Sequence, residues 1–384
     1  MTKMNCRQAA TDLLGMTREA LEELLQNLGE PRYRARQLFA WLHRGTSLDM
    51  MTSLPKELRR QLAAIARAGT LQLAYQEAAE DGAVKFGFET ADGRLIETVL
   101  IPHRNRTTVC VSSQIGCAYG CAFCATGRQG FTRDLTTGEI VEQVIRVQTA
   151  TRPQRVRNVV FMGMGEPLAN FDAVVTAIRL LNSPDGLGIG ARHIAVSTCG
   201  LPNSIQRLAE EKLQVGLAVS LHAATDEVRN QLVPINRKHP LAEVVNAARR
   251  FATMTGRKVA FEYVIVPEVN DTPAQARRLA ELVRGMAAMV NLIPLNPADS
   301  SLRVDVDSAY RFAALLRKRG VEVMVRRSRG GEVLGACGQL RARHIKKASD
   351  ERSPVRRSNA LDSLGSVSDS PDMTEQKCEG GKGP

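Results

Sequence analysis

Three cysteines within eight residues, Cys117-Ala-Tyr-Gly-Cys121-Ala-Phe-Cys124, carry the strongest chemical signal in this 384-residue chain. Thiolates spaced by three and then two residues suit a metal cluster, and a tetrahedral zinc site needs a fourth ligand close by. The nearest other cysteines are Cys110 and Cys199, and no histidine lies between His103 and His193. A cubane held by only three thiolates leaves one iron open to a small molecule, whereas a fully ligated cluster is a carrier or a staple. The bland readings are a chance cluster, a zinc knuckle short of one ligand, or a disulfide with a spare thiol. Against them, the motif follows the apolar run 107–112, where a strand-end loop is expected, and has matching parts downstream.

The spacing resembles that of the radical S-adenosylmethionine (SAM) superfamily. That resemblance implies a 4Fe-4S cluster whose open iron chelates the amino and carboxylate groups of SAM. Reductive cleavage of the sulfonium then yields a 5′-deoxyadenosyl radical.

The elements that must position such a site show as changes of period. Leu21, Leu24, Leu25 and Leu28 recur at helical spacing until Gly29 and Pro31, and further helices are expected at 33–43 and 55–66. The helix at 33–43 turns Leu38, Phe39, Trp41 and Leu42 inward and Arg32, Arg34, Arg36 and Arg44 outward. That basic face is either an ordinary solvated surface or a platform for RNA phosphates. From 70 to 101 the pattern alternates, with Asp92-Gly93 as a type I′ hairpin signal between strands at 84–90 and 95–101. Glu97 falls on the second strand and reads, on pattern alone, as an outward residue. Beyond 105, strand-like runs at 107–112, 156–162, 193–198, 215–221, 259–266 and 289–294 alternate with amphipathic segments at 138–149, 171–181, 201–210, 241–253 and 274–286. A helix at 308–318 and a seventh strand at 321–326 follow.

This alternation predicts an α/β chain of parallel βαβ units, a partial (β/α)6 barrel over 105–347. An N-terminal helical accessory domain (1–68) and a small β-hairpin connector (69–104) precede it, and a tail (348–384) rich in Ser, Asp, Pro, Gly and Arg is expected to be disordered. Active sites of such barrels gather at the C-terminal strand ends. Met162-Gly163-Met164-Gly165-Glu166-Pro167, Ser197-Thr198, Ser220-Leu221-His222 and Asn296 all fall there. Each alone reads as a turn or a helix cap, so the shared rim carries the inference.

The formal charge is +12. The tail from Ala348 holds five basic and seven acidic residues, a net of −2, which leaves +14 on the body. A basic body favours a polyanionic partner such as ribosomal RNA or tRNA. Residues 1–16 lack the apolar stretch of a signal peptide and no run reaches membrane-span length, so a reducing cytoplasm is expected. The eight cysteines are then ligands or reactive thiols, with Cys6 and Cys378 incidental.

Beyond the superfamily, the chain resembles the RlmN-like radical SAM methyltransferases across roughly residues 15–345. The resemblance is carried by Cys110-Val-Ser-Ser-Gln-Ile-Gly-Cys117, Phe131-Thr-Arg-Asp-Leu-Thr-Thr-Gly-Glu139, Gly163-Met-Gly-Glu-Pro167, Val233-Pro-Ile-Asn236 and Ala336-Cys-Gly-Gln-Leu340. It is looser at Arg329-Gly-Gly-Glu-Val-Leu-Gly335, where family members more often have acidic residues. It implies methylation of carbon 2 of adenine in 23S rRNA and in tRNAs, with a flavodoxin-like electron donor and a monomeric enzyme. Cys117, Cys121 and Cys124 would ligate the cluster; Gly165, Glu166, Ser197, Ser220, Leu221, His222 and Asn296 would contact SAM. Cys337 would carry the methyl group, Cys110 would resolve the covalent RNA adduct by forming a disulfide with Cys337, and Glu97 would accept the carbon 2 proton. Carbon 2 lies between two ring nitrogens and is electron-poor, so it cannot attack a sulfonium methyl and needs a radical route. Two alternatives stay open: methylation of carbon 8 by a close relative, and a non-catalytic iron–sulfur protein that binds RNA or senses redox state.

Overall fold

Helical spacing of leucines builds α1 (Arg18–Asn27), α2 (Tyr33–Leu42) and α3 (Lys56–Ile65) in the computed structural model, which describes residues 11–104, 106–296, 305–326 and 329–341. Thr17 caps α1 by accepting from the Ala20 amide (3.3 Å). In α2 the buried stripe is Ala35, Leu38, Phe39 and Leu42. Trp41, expected inside, is only half-buried, because its indole N–H donates to Ser53 Oγ (2.7 Å) and so lies at the edge of the core.

Ten strands among the described residues form one sheet whose spatial order is the chain order. They are β1 (Gln72–Ala78), β2 (Val84–Glu89), β3 (Leu95–His103), β4 (Arg106–Cys110), β5 (Val156–Phe161), β6 (Ile194–Thr198), β7 (Gly216–Ser220), β8 (Val259–Ile265), β9 (Ala288–Pro294) and β10 (Val323–Val325). The first three pairings are antiparallel, and β4 through β10 are parallel throughout. Between and beside the parallel strands lie α4 (Ala125–Arg128), α5 (Thr137–Ala150), α6 (Phe171–Asn182), α7 (Pro202–Glu210), α8 (Asp226–Leu232), α9 (Leu241–Thr255), α10 (Pro273–Val283) and α11 (Asp307–Arg317). This is the expected partial barrel. The short helix α8 was not legible, since seven residues span too few turns to show a period.

The parallel strands bury an apolar face: Val159, Phe161, Val196, Leu217, Val219, Phe261 and Leu292 are all buried. Each such side chain contributes roughly 1.5–3 kcal/mol by leaving water. The same apolar cluster takes in Leu13, Leu21, Leu38 and Leu62, so the N-terminal helices share the barrel's core. Helix α5 is the fastener: Glu142 Oε2 accepts from the Thr70 and Leu71 amides (2.7 and 2.9 Å), and Arg146 Nη2 donates to Leu71 O (2.8 Å).

The β2–β3 hairpin differs from expectation in its turn. Only Gly93 has positive φ (74°), and its amide donates to Thr90 O (2.9 Å). A type I′ turn would need Asp92 left-handed as well. Asp92 instead points its carboxylate at Arg133 Nη2 (2.8 Å), whose guanidinium also holds Glu139 Oε1 (2.8 Å) at the start of α5. The Phe131–Glu139 stretch therefore clamps the hairpin tip to the barrel.

Candidate active site

The cysteine loop is bracketed by a short antiparallel pair, Gln114–Gly116 with Phe131–Asp134. Gly116 makes the bracket possible: it has φ +77°, and a Cβ there would lie 1.8 Å from Gly130 O. The Cys117 amide donates to Gly130 O (2.9 Å), the Ala122 amide to Leu232 O (3.0 Å), and the loop closes as Cys124 leads into α4. All three cysteines are half-buried free thiols. Burial pushes Cys117 up to about 11 and Cys121 up to about 12, and the neighbouring cysteines add to both shifts. Thiols held this way surrender their protons to a metal rather than to water. Three soft donors on one loop without a fourth fit a 4Fe-4S cluster with one open corner. Among the described residues, no three His, Cys, Asp or Glu side chains converge on a single metal ion.

The rim residues collect beside this loop, most of them held through the backbone. Gly165 sits at φ +96° against Gln114, where a Cβ would come within 2.5 Å. Glu166 is buried, accepts from the Leu168 and Cys199 amides (3.0 and 2.7 Å), and has its pKa raised by burial. Ser197 Oγ donates to Phe161 O (2.7 Å). The carbonyls of Ser220 and Leu221 accept from Arg229 (3.2 and 3.0 Å). His222 adopts φ +58°, its Nδ1 accepts from the Val264 amide (3.0 Å), and its ring meets Phe123 edge-on at 4.6 Å. Burial lowers its pKa to about 3, so it is a neutral imidazole with its proton on Nε2. Asn296 Nδ2 donates to Cys337 O (3.0 Å). A cavity of about 220 Å³ runs between Phe123, Leu232, Val266, Leu295 and Asn296.

The other two thiols come from opposite ends of the barrel. Cys110 ends β4 and is buried; Cys337 follows β10 and is exposed. Both are free, so the disulfide expected between them is not formed. Burial, and then the neighbouring Cys337, push Cys110 up to about 12, while Arg326 opposes this. Solvent reaches Cys337, yet the protein packed round it raises its pKa too, again against the pull of Arg326. The segment bearing Cys337 is tied down at Ala125 N to Gly338 O (2.7 Å), Thr126 Oγ1 to Leu340 O (2.6 Å) and Arg341 N to Glu97 Oε2 (2.6 Å). Glu97 is thus not outward: it is 1% exposed, because residues 329–341 cover that face of the hairpin. It lines a second cavity of about 240 Å³ together with Lys85, Arg128, Gln339 and Arg341.

The comparisons with known proteins agree with this arrangement. Residues 111–280 match the radical SAM superfamily, and residues 11–68 match the N-terminal domain of ribosomal RNA large subunit methyltransferases. A probable dual-specificity RNA methyltransferase RlmN from Moorella thermoacetica is 46% identical over 342 residues, 86% of this chain and 97% of the relative. The dual-specificity RNA methyltransferase RlmN of Anaeromyxobacter dehalogenans is also 46% identical, over 86% of this chain and 92% of its own length. The chain belongs to the RlmN family. The crystal structure of a radical SAM methyltransferase from Sphaerobacter thermophilus superposes with a TM-score of 0.84 at 48% identity, covering 87% of this chain and all of that one. As a member of the RlmN family the chain is a SAM-dependent RNA methyltransferase that uses a 4Fe-4S cluster.

Two arginines of this RlmN-family site escaped the sequence reading. Arg229 is completely buried and donates to Leu221 O, Cys199 O (2.6 Å) and Asn236 Oδ1 (2.8 Å), bracing the rim from below. Arg326 donates to Glu262 Oε2 (3.3 Å) within electrostatic reach of both Cys110 and Cys337. Arginines are common and mostly exposed, so neither carried a signal. Cys6, Cys378 and the expected disorder of the tail lie outside the described residues.

Proposed function

We propose that this enzyme methylates carbon 2 of an adenine in 23S rRNA and in tRNA through a methyl-cysteine intermediate. The carrying observation is that Cys337, from the far end of the chain, meets Cys110 and Glu97, from two neighbouring strands, beside the cysteine loop. A sensor or a plain iron–sulfur RNA binder has no use for two further thiols and a buried carboxylate there.

Cys117, Cys121 and Cys124 would hold the cluster, and Gly165, Glu166, Ser197, Ser220, Leu221, His222 and Asn296 would hold SAM, which together supply a 5′-deoxyadenosyl radical. Cys337 accepts the methyl group by displacement, for which it must be a thiolate, and Arg326 favours that form. Its exposure lets it reach a base seated in the cavity lined by Glu97, Arg128 and Arg341. Glu97 takes the proton from carbon 2. The Cys110 thiol, after losing its own proton, attacks the Cys337 sulfur: a Cys110–Cys337 disulfide forms as the bond from that sulfur to the RNA-linked carbon breaks, and that carbon takes up a proton to complete the methyl group of the released RNA. Residues 1–68 act as the accessory RNA-binding domain, with 69–104 as connector and 105–347 as barrel. A flavodoxin-like donor, a monomeric state and a cytoplasmic location complete the reading; among the described residues no helix is long and apolar enough to cross a membrane.

The test is mass spectrometry of nucleosides from 23S rRNA fragments and tRNA treated with the reconstituted enzyme. 2-methyladenosine is expected in both, and 8-methyladenosine, or no modified adenosine, would overturn the reading.

A further inference from the structure

If Glu97 is the base, it occupies an unusual place for a group that takes up a proton at every turnover, since it is 1% exposed and lines the cavity proposed above to seat the adenine. With the adenine in that cavity, a proton on Glu97 needs a route past Lys85, which lines the same cavity. The antiparallel hairpin behind it is built in a way that provides one.

Tyr75 on β1, Gly87 on β2 and Glu97 on β3 lie in one row across three strands. A bulge between Leu73 and Tyr75 shifts the register so that Tyr75 faces Gly87. The phenol ring crosses over Gly87 and its OH donates to Glu97 Oε1 at 2.5 Å. Only glycine permits the crossing: a Cβ at position 87 would fall 2.2 Å from the Tyr75 ring. Two residues along, on the same face, Lys85 Nζ lies 3.4 Å from Glu97 Oε1 and 2.8 Å from Glu77 Oε2. The Lys85 side chain is 8% exposed and that of Glu77 is 49% exposed. The row Glu97, Lys85, Glu77 therefore runs from a sealed carboxylate to one in water. A buried carboxylate without such a cation would be costly.

We propose that Lys85 and Tyr75 are positioning residues that hold the Glu97 carboxylate aimed into the cavity, and that Lys85 and Glu77 form the exit for the proton Glu97 collects. This rests on the reading of Glu97 as the base. The carbon 2 to hydrogen bond breaks, its electron pair stays on the ring, and the proton goes to the Glu97 carboxylate. The Lys85 ammonium gives one N–H proton to Glu77 while accepting the proton from Glu97, and Glu77 releases it to water. All three groups return to their starting states and no oxidant is needed.

The experiment uses the cluster-loaded full chain with SAM, reductant and an RNA substrate bearing hydrogen or deuterium at carbon 2. Iron content, 5′-deoxyadenosine, protein crosslinked to RNA and released methylated RNA are measured for Lys85→Met, Lys85→Arg, Tyr75→Phe, Glu77→Gln and Glu97→Gln. Lys85→Met should keep iron and 5′-deoxyadenosine formation, accumulate crosslinked RNA, and slow release by on the order of 10²-fold, the scale of a lost general base. Its deuterium effect on release should rise, a response that loss of structure alone would not produce, and Lys85→Arg should recover part of the rate. Tyr75→Phe and Glu77→Gln should slow release several-fold. Normal release by Glu97→Gln sinks the base assignment itself. If Glu97→Gln traps the adduct while Lys85→Met releases RNA at the unaltered rate and isotope effect, the relay alone is wrong. Should Lys85→Met fail to take up iron, unaltered release by both Tyr75→Phe and Glu77→Gln overturns the proposal.

Discussion

The cysteine loop and the paired-thiol region sit on the same rim but are built in opposite ways. Cys117, Cys121 and Cys124 lie within eight residues and are held by local backbone bonds, with Gly116 folding the loop back on Gly130. Cys110, Glu97 and Cys337 come from β4, β3 and the segment after β10, and meet only because the sheet is complete and residues 329–341 lie across the hairpin. A cluster needs ligands at a spacing that a short loop can satisfy, so its design is local. A thiol that must part from its partner and then meet it again, beside a base, is better carried on separate elements.

If the two regions are independent in this sense, mutations should separate them. The largest effect belongs to the loop: Cys117→Ala, Cys121→Ala or Cys124→Ala should each abolish iron binding and 5′-deoxyadenosine formation. An iron-loaded, SAM-cleaving triple variant would remove the basis of the assignment.

In the second region, iron should stay and the chemistry should stop at different points. Cys337→Ala should give neither methylated RNA nor adduct. Cys110→Ala should accumulate protein joined to RNA, read on denaturing gels, because Cys337 can react but nothing resolves it. Normal turnover by Cys110→Ala would break the comparison.

The resolving step also carries a pH signature. Cys110 is pushed up to about 12, chiefly by burial, so at neutral pH it is a protonated thiol and only its thiolate attacks. Release of methylated RNA should therefore quicken about tenfold per pH unit between about 7 and 9 where this step limits. Arg326→Met should slow release at fixed pH by withdrawing the opposing charge.

A smaller effect concerns stability away from the site. His43 is 4% exposed, packs edge-on against Phe39 at 4.0 Å, and burial lowers its pKa from 6.5 to about 4. Its neutral form is the native one, so its contribution is complete above 6.5 and is lost as pH falls toward 4. The loss is up to about 3 kcal/mol. Urea midpoints measured between pH 7 and 4 should fall, and His43→Gln should flatten that part of the curve.

The smallest effect is expected for truncation after Lys347. The tail is slightly acidic and the body basic, so RNA affinity and its salt dependence should hardly change. A collapse of affinity with the fold intact would mean that the charge was divided wrongly.

The sequence by itself determined the barrel, its strand order and the cysteine loop, because alternating apolar runs and close ligand spacing are local properties that survive without coordinates. Helix bounds for α6 and α7 fall within a residue of those expected. Cys110 and Cys337 were legible only through family motifs, and Glu97 only through the same resemblance, since period 2 made it outward. Tertiary structure decided the rest. The covering segment 329–341 turned the face of Glu97 into an interior, Gly87 let Tyr75 through, and Arg326 and Arg229 became buried or half-buried cations with specific partners. Burial and cross-strand neighbours depend on which surfaces meet, and a pattern along one strand does not contain what will later be laid over it.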